Sequence, residues 1–387
     1  MKIAVVTPGR FHSFEMAAQL EGHGALGRIV TGYPRFKLKE DRVPADKIHC
    51  VWPLNTLAMA LQRLPLPGPL NAVPAALMKW SSLAVDAYAA GHLDGCDGVI
   101  ALSGTGVACG SAMQRQGGFW VCDRGSTHIL FQDRILREEA ELLGVARKRV
   151  SPLAIKRELA EYAGADAIFV PSHFVRQTFL DEGVAAEKIK LAPYGVNTAA
   201  FRPSAPKAER FTVLFAGQIN YRKGLHYLLK AWRQWAPQNA ELRIAGAADG
   251  SEQALIDWAG GLPPHCAFLG LLKRPALVQE MSRAHALVLP SIEEGLALVM
   301  AQAMACGTPV IASTNTGADT LFTDGVEGLI GPARAPEFLA QSFERLAGDP
   351  GLADAMGRAA LARAGAFGGA AAYGERIMQA VGEIARR

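Results

Sequence analysis

Apolar positions in this chain come in short unbroken runs rather than in alternation. Residues 3–7 (IAVVT), 98–102 (GVIAL), 119–122 (FWVC) and 167–170 (AIFV) are runs of this kind, the pattern of strands buried on both faces. Between them, residues 13–20 and 134–143 read as helices. After a break the pattern restarts, at 212–217 (TVLFAG), 242–246 (LRIAG), 266–270 (CAFLG), 286–290 (ALVLP) and 309–313 (PVIAS). Strand–helix alternation that stops and begins again predicts two parallel-sheet α/β domains. The break falls in residues 194–210, which hold two prolines and no clear periodicity. This sets a first domain at 1–197, a linker at 198–210 and a second domain at 211–366. An alanine-rich helix at 367–387 follows, able to cross back to the first domain.

Composition fits this plan. Of 387 residues, 50% are hydrophobic, 20% charged and 7% aromatic, enough for two cores. Lys and Arg exceed Asp and Glu by 40 to 36, a formal charge of +4. So small an excess admits an anionic ligand or a membrane surface, but argues against nucleic acid as a partner. The six cysteines (50, 96, 109, 122, 266 and 306) are dispersed with no Cys-x-x-Cys, as in a cytosolic protein with reduced thiols. The first residues have too short an apolar run for a signal peptide. The longest uncharged run, 295–318, is broken by Gln302, Gly307 and Pro309, below membrane-spanning length. The expected location is cytoplasmic, with peripheral association at the inner membrane face left open. Residues 62–80 are distinctive: Pro65, Pro67, Pro69 and Pro74 stand among leucines, flanked by Arg63, Lys79 and Trp80. They read either as an extended connector packed on the first domain or as a surface that meets a lipid carrier or membrane.

Candidate chemistry concentrates in the second domain. In residues 290–313 (PSIEEGLALVMAQAMACGTPVIAS) a strand ends at Pro290, Glu294 and Gly295 sit in a loop, and a helix is expected to start near Leu296. Gly307 closes that helix and Pro309 opens the next strand. A helix start facing a strand end offers unpaired N–H groups and a positive dipole, which suits a diphosphate. Residues 216–232 (AGQINYRKGLHYLLKAW) place Gly217 and Gln218 after a strand, then Arg222 and Lys223 before a helix. The two cations can neutralise phosphate oxygens.

The pairing of an RKG loop with PSxxEGxxLxxxxAMAxGxPVIAS resembles the retaining glycosyltransferases of family 4. Residues 169–203 are similar to that family's run from the first domain into the linker, and 314–330 to its donor-side glycine loop and following strand. The resemblance implies the GT-B fold: two Rossmann-like, doubly wound parallel-sheet domains facing a central cleft. It also implies a nucleotide-sugar donor on the second domain, a glycan or lipid-linked acceptor on the first, transfer with retention, and no metal or other cofactor. On that resemblance, Lys223 matches the lysine that pairs with the donor diphosphate, and Glu294 the glutamate that contacts the donor sugar. The run Gly295, Leu296, Ala297 and Leu298 matches the backbone at the diphosphate, and Gly317 part of a loop near the donor. His128 resembles the histidine that the family places near the sugar.

The sequence departs from the family pattern at three places. Gln302 replaces a glutamate that holds ribose hydroxyls, keeping an acceptor but losing the charge. Gln218 replaces an arginine, for which Arg222 can substitute. Gly317 is followed by Ala318 where paired glycines are usual. The two glutamines leave room for a non-catalytic nucleotide- or partner-binding relative in a glycan-assembly complex, or for a nucleotide-sugar epimerase on the same fold.

The first domain is less legible. Gly9 and Arg10 occupy the first strand-to-helix turn, Ser103 with Gly104 and Thr105 close another strand, and Asp123 and Arg124 close a third. These are the candidate acceptor contacts. Glu138 and Glu139 read as a solvated helix face. No Asp-x-Asp, P-loop, G-x-S-x-G or strand-following G-x-G-x-x-G is present, which disfavours metal-dependent transfer, NTP hydrolysis, ester hydrolysis and nicotinamide chemistry.

Overall fold

The computed structural model describes residues 1–38, 42–61, 64, 70, 73–145, 150–195, 199–235 and 238–386. The expected domain boundary at 197, and Arg63, Pro65, Pro67 and Pro69, lie outside them. Among the described residues the first domain holds seven strands: β1 (Ile3–Thr7), β2 (Leu26–Thr31), β3 (Ile48–Cys50), β4 (Gly98–Leu102), β5 (Phe119–Asp123), β6 (Ala167–Val170) and β7 (Ile189–Leu191). They lie in the order β3-β2-β1-β4-β5-β6-β7, every pair parallel. The second domain holds β8 (Phe211–Ala216), β9 (Ala240–Ala245), β10 (Cys266–Gly270), β11 (Ala286–Leu289), β12 (Val310–Ser313) and β13 (Gly328–Gly331). Their order is β10-β9-β8-β11-β12-β13, again parallel. Each sheet reverses its winding once, between β1 and β4 and between β8 and β11. Those switch points are where open parallel sheets leave a crevice at their carboxyl ends.

The apolar runs became strands because helices cover both faces of each sheet. On β1, Ile3 and Val5 join one apolar cluster and Ala4 and Val6 the other. Four strands lacked a clear run, among them β13, which only the family resemblance implied. β2 is interrupted by Gly27 and Arg28, and β3 and β7 have only three residues each. Pairing with a formed neighbour, not local pattern, makes them strands.

The carboxyl-terminal segment is two helices, Pro350–Phe367 and Ala370–Ile384, the second of them the helix expected over 367–387. Gly368, at φ +86°, turns the chain between them. The second helix buries Tyr373, Ile377, Val381 and Ile384 at the spacing of one helical face. It packs on the first domain's helix Ser13–Gly22, where a Cβ on Gly374 would meet Gln19 at 2.8 Å. Lys190 and Glu383 add an ion pair at 3.0 Å. The chain therefore begins and ends on the same domain. Burying those four side chains stabilises this arrangement by roughly 1.5–3 kcal/mol each.

Candidate active site

The 216–232 motif has a steric reason for its glycine. Asn220 caps the turn Tyr221–Lys223, accepting from the Lys223 N–H at 3.1 Å. Gly224 then takes φ +72°, and a Cβ there would lie 2.0 Å from the Pro290 carbonyl oxygen. The cation loop and the end of β11 therefore touch backbone to backbone. The Ile292 N–H donates to the Arg222 carbonyl at 2.8 Å, and Asn315 donates to the Ile292 carbonyl at 2.9 Å. Three strand-end loops are tied into one surface.

Adjacent cations meet adjacent carboxylates on that surface. Lys223 pairs with Glu294, which also accepts from the Ser291 hydroxyl at 3.3 Å. Arg222 donates Nε to Glu293 Oε2 at 2.7 Å and to the Glu293 carbonyl at 3.0 Å. Its Nη2 stands 3.9 Å from Glu294 Oε2. Beside them the helix starts at Leu298, two residues later than expected, because Leu296 and Ala297 are buried in the loop. Ala297 at its N-cap gives no side-chain cap, so the first N–H groups keep their capacity for an anion. Gly217 ends β8, Gln218 is exposed, and Gln302 is half-buried on the helix Leu298–Ala305.

Glu293 was missed in the sequence. It is fully buried and belongs to the second domain, yet accepts from first-domain groups: Ser126 Oγ at 2.6 Å, Thr127 Oγ1 at 2.7 Å, Thr127 N at 3.2 Å and Gln132 Nε2 at 3.1 Å. Burial opposes its charge, but Arg222 and these donors together outweigh burial and hold its pKa at about 2. Gly295 marks the same contact. A Cβ there would lie 2.0 Å from the Gly125 carbonyl oxygen, and the Ser172 hydroxyl donates to the Gly295 carbonyl at 2.6 Å. Gly317 meets Ser172 as well. No single-residue signal distinguishes Glu293 from Glu294 in the sequence; the opposing domain makes the difference.

The first-domain candidates divide. Asp123 reaches the cleft edge, where it pairs with His12 Nε2 at 2.6 Å. His12 also stands 4.4 Å from the Tyr194 ring. A Cβ on Gly125 would lie 3.2 Å from the His12 ring, so His12 and the 294–297 loop face each other across Gly125. His12 shows no partner for Nδ1 among the described residues. Its place in the first strand-to-helix turn was the available signal. Gly9 and the exposed Arg10 lie in the same turn.

Three other expectations are corrected. His128 does not face the cleft: it is 2% exposed, lies 4.9 Å from both the Tyr162 and Phe179 rings, and caps the helix Ile129–Leu142. Burial pushes its pKa down to about 4, so it is a neutral core residue. Arg124 turns inward to Glu158 at 2.7 Å, and Ser103 donates to the same carboxylate at 2.8 Å. An internal carboxylate has captured both. Glu138 is exposed, but Glu139 is fully buried between the domains, where His226 Nε2 at 2.6 Å and Arg334 Nε at 2.7 Å reach it.

Among the described residues no cluster of three or more His, Cys, Asp or Glu side chains could hold a metal ion.

Residues 196–363 match the family model described as glycosyl transferases group 1. D-inositol 3-phosphate glycosyltransferases are similar to this part of the chain. The one from Kribbella flavida is 30% identical over 48% of this chain and 49% of its own length. That from Pseudarthrobacter chlorophenolicus is 34% identical over 47% of each. The chain spans about half the length of the curated relatives it matches. Solved structures align with nearly all of it. Sucrose-phosphate synthase from Thermosynechococcus elongatus has a TM-score of 0.72 at 20% identity, covering 99% of both chains. Anabaena HepE in complex with UDP has a TM-score of 0.72 at 18% identity, covering 99% of this chain and 100% of its own. With the two parallel sheets, these matches make the fold GT-B.

Proposed function

We propose that this chain is a metal-independent, retaining glycosyltransferase. It would move a sugar from a nucleotide diphosphate-sugar to a glycan or lipid-linked acceptor in polysaccharide, lipopolysaccharide or glycolipid assembly. One observation carries the reading: Arg222, Lys223 and an uncapped helix start converge on Glu294 at the carboxyl ends of β8 and β11, facing the other domain. The group 1 match covers these residues, and HepE, of the same fold, was solved with UDP and with UDP-glucose.

In this reading the donor diphosphate displaces Glu294 from Lys223. Arg222, tethered through Nε, presents its remaining N–H groups to phosphate, and the helix start at Leu298 supplies backbone donors. Glu294, released, accepts from sugar hydroxyls. The bond from the sugar's anomeric carbon to the diphosphate oxygen breaks, and the bond to the acceptor oxygen forms on the same face. The acceptor's proton passes to the departing diphosphate, whose charge the two cations stabilise. His12 positions the acceptor: with Nε2–H donated to Asp123, Nδ1 accepts from a neighbouring, non-reacting hydroxyl of the acceptor.

The test is a thermal-shift panel of UDP, GDP, ADP and TDP, with and without chelator, followed by an assay for acceptor-dependent release of nucleoside diphosphate. One nucleotide raising Tm equally in chelator, and released only with acceptor, is the expected result. No stabilisation by any of the four would overturn the donor site. A product sugar still attached to nucleotide would overturn transfer in favour of epimerisation.

A further inference from the structure

The crossover from β3 to β4 differs from its neighbours. β1 and β2 are joined by the single helix Ser13–Gly22, whereas β3 and β4 are joined through two helices, Pro53–Leu61 and Val73–Ala90. Their inner face is well held. Asn55 donates to the Pro8 carbonyl at 2.7 Å, and Gly32 sits so close that a Cβ there would meet Ser81 at 2.9 Å and Asn55 at 3.3 Å. Asp86, buried, accepts from the N–H groups of Ala108 and Cys109 and pairs with Arg157.

Among the described residues their outer face has no such cover. Trp80 is 62% exposed, and Trp52 and Leu57 are 50% exposed each. Residues 75–80 of the second helix include no buried side chain. Phe36, four residues beyond Gly32, is 59% exposed between Arg35 and Lys37. Soluble surfaces rarely group large apolar side chains in this way.

Charge points to the occupant. The sequence between Asp46 and Asp86 holds no Asp or Glu, and Lys79 in it is exposed. Lys79 adjoins Trp80, and Arg35 and Lys37 flank Phe36. Tryptophan beside an exposed lysine, in a stretch with no carboxylate from residue 47 to 85, suits the headgroup region of an anionic bilayer, where indole rings settle and lysines meet lipid phosphate. We propose that this face docks the protein peripherally on an anionic lipid bilayer. Among the described residues no helix is long and apolar enough to cross one, so the attachment is interfacial. The face adjoins the carboxyl ends of β1 and β2, on the His12 side of the cleft. That a bilayer thereby presents the acceptor rests on the transferase reading; the docking does not.

Cosedimentation with extruded vesicles tests it. Vesicles with phosphatidylglycerol should bind the protein at least tenfold better than pure phosphatidylcholine, and 0.5 M NaCl, an added condition of roughly 4 Å screening length, should weaken binding. The double variant Leu57→Glu, Trp80→Glu should lose at least tenfold, whereas Leu271→Glu, on an exposed leucine of the other domain, should bind as the parent does. A nucleotide-induced Tm shift retained in the double variant shows that it folds with its donor site intact. Equal binding of variant and parent overturns the proposal. So does a parent that ignores anionic vesicles but sediments as a dimer that the double variant dissociates, since the face would then belong to a second copy of the chain. Loss of the nucleotide shift in the parent itself would count against the transferase reading and leave the docking result standing.

Discussion

The two sides of the cleft are built differently. On the second-domain side, Arg222, Lys223, Glu293, Glu294 and the helix from Leu298 come from two contiguous stretches, each a strand, a loop and a helix start. On the first-domain side, His12 and Asp123 come from positions 111 residues apart, and Arg124 beside them is spent on Glu158. A diphosphate is always the same ion, and one backbone device can hold it wherever a strand meets a helix. An acceptor has no such constant part, so its contacts are assembled from distant chain segments. The adjacent glutamates show the difference within two residues: Glu294 faces the donor cation, while Glu293 holds the domains together.

Several variants would break or sharpen that comparison, the largest effect first. Glu293→Ala removes a buried carboxylate from five donors and takes from Arg222 its nearer carboxylate, so denaturant unfolding should show a loss of about 3–5 kcal/mol. Lys223→Ala should lower kcat/KM by about 10²–10³-fold, near 3–4 kcal/mol of transition-state stabilisation, with little change in Tm. Unchanged kcat/KM would remove the donor assignment. His12→Ala should raise the acceptor KM by about tenfold and leave nucleotide binding alone; weakened nucleotide binding instead would place His12 on the donor.

Acidification probes the groups held between domains and in the core. His128 ordinarily titrates near 6.5 but near 4 when folded, so the unfolded chain takes up the proton first. Its contribution to stability is lost as pH falls from 6.5 through 4. Glu293 is also shifted down, its contribution being lost as pH falls from 4.5 toward 2. A His128→Gln variant should therefore show a flatter dependence of Tm on pH between 6.5 and 4. The smallest effect is expected from Gln302→Glu, where a carboxylate facing ribose hydroxyls should tighten nucleoside diphosphate binding about two- to fivefold, roughly 0.4–1 kcal/mol. No change would mean that Gln302 does not face the ribose.

Much of this was legible before folding is considered. Unbroken apolar runs announced nine of the strands, because a strand covered on both faces has no polar side to show. The β2, β3, β7 and β13 strands gave no such signal, since a neighbour's hydrogen bonds complete them. The loops around Arg222–Lys223 and Glu294–Gly295 were legible because their glycines answer local demands, such as the positive φ at Gly224. Other residues were misread for one shared reason. His128, Arg124, Ser103 and Glu139 carry polar groups at strand ends or on a helix, and sequence does not say which way such a group turns.

By itself, then, the sequence determined the two α/β domains, the position of the diphosphate-type loops and the chemistry those loops can offer, all consequences of interactions within a few residues. Only the tertiary structure decided that His12 meets Asp123, that Glu293 is fully buried by the opposite domain, and that Trp52, Leu57 and Trp80 are exposed among the described residues. Those outcomes depend on which distant surfaces meet and exclude water, and burial is a property of the partner as much as of the residue.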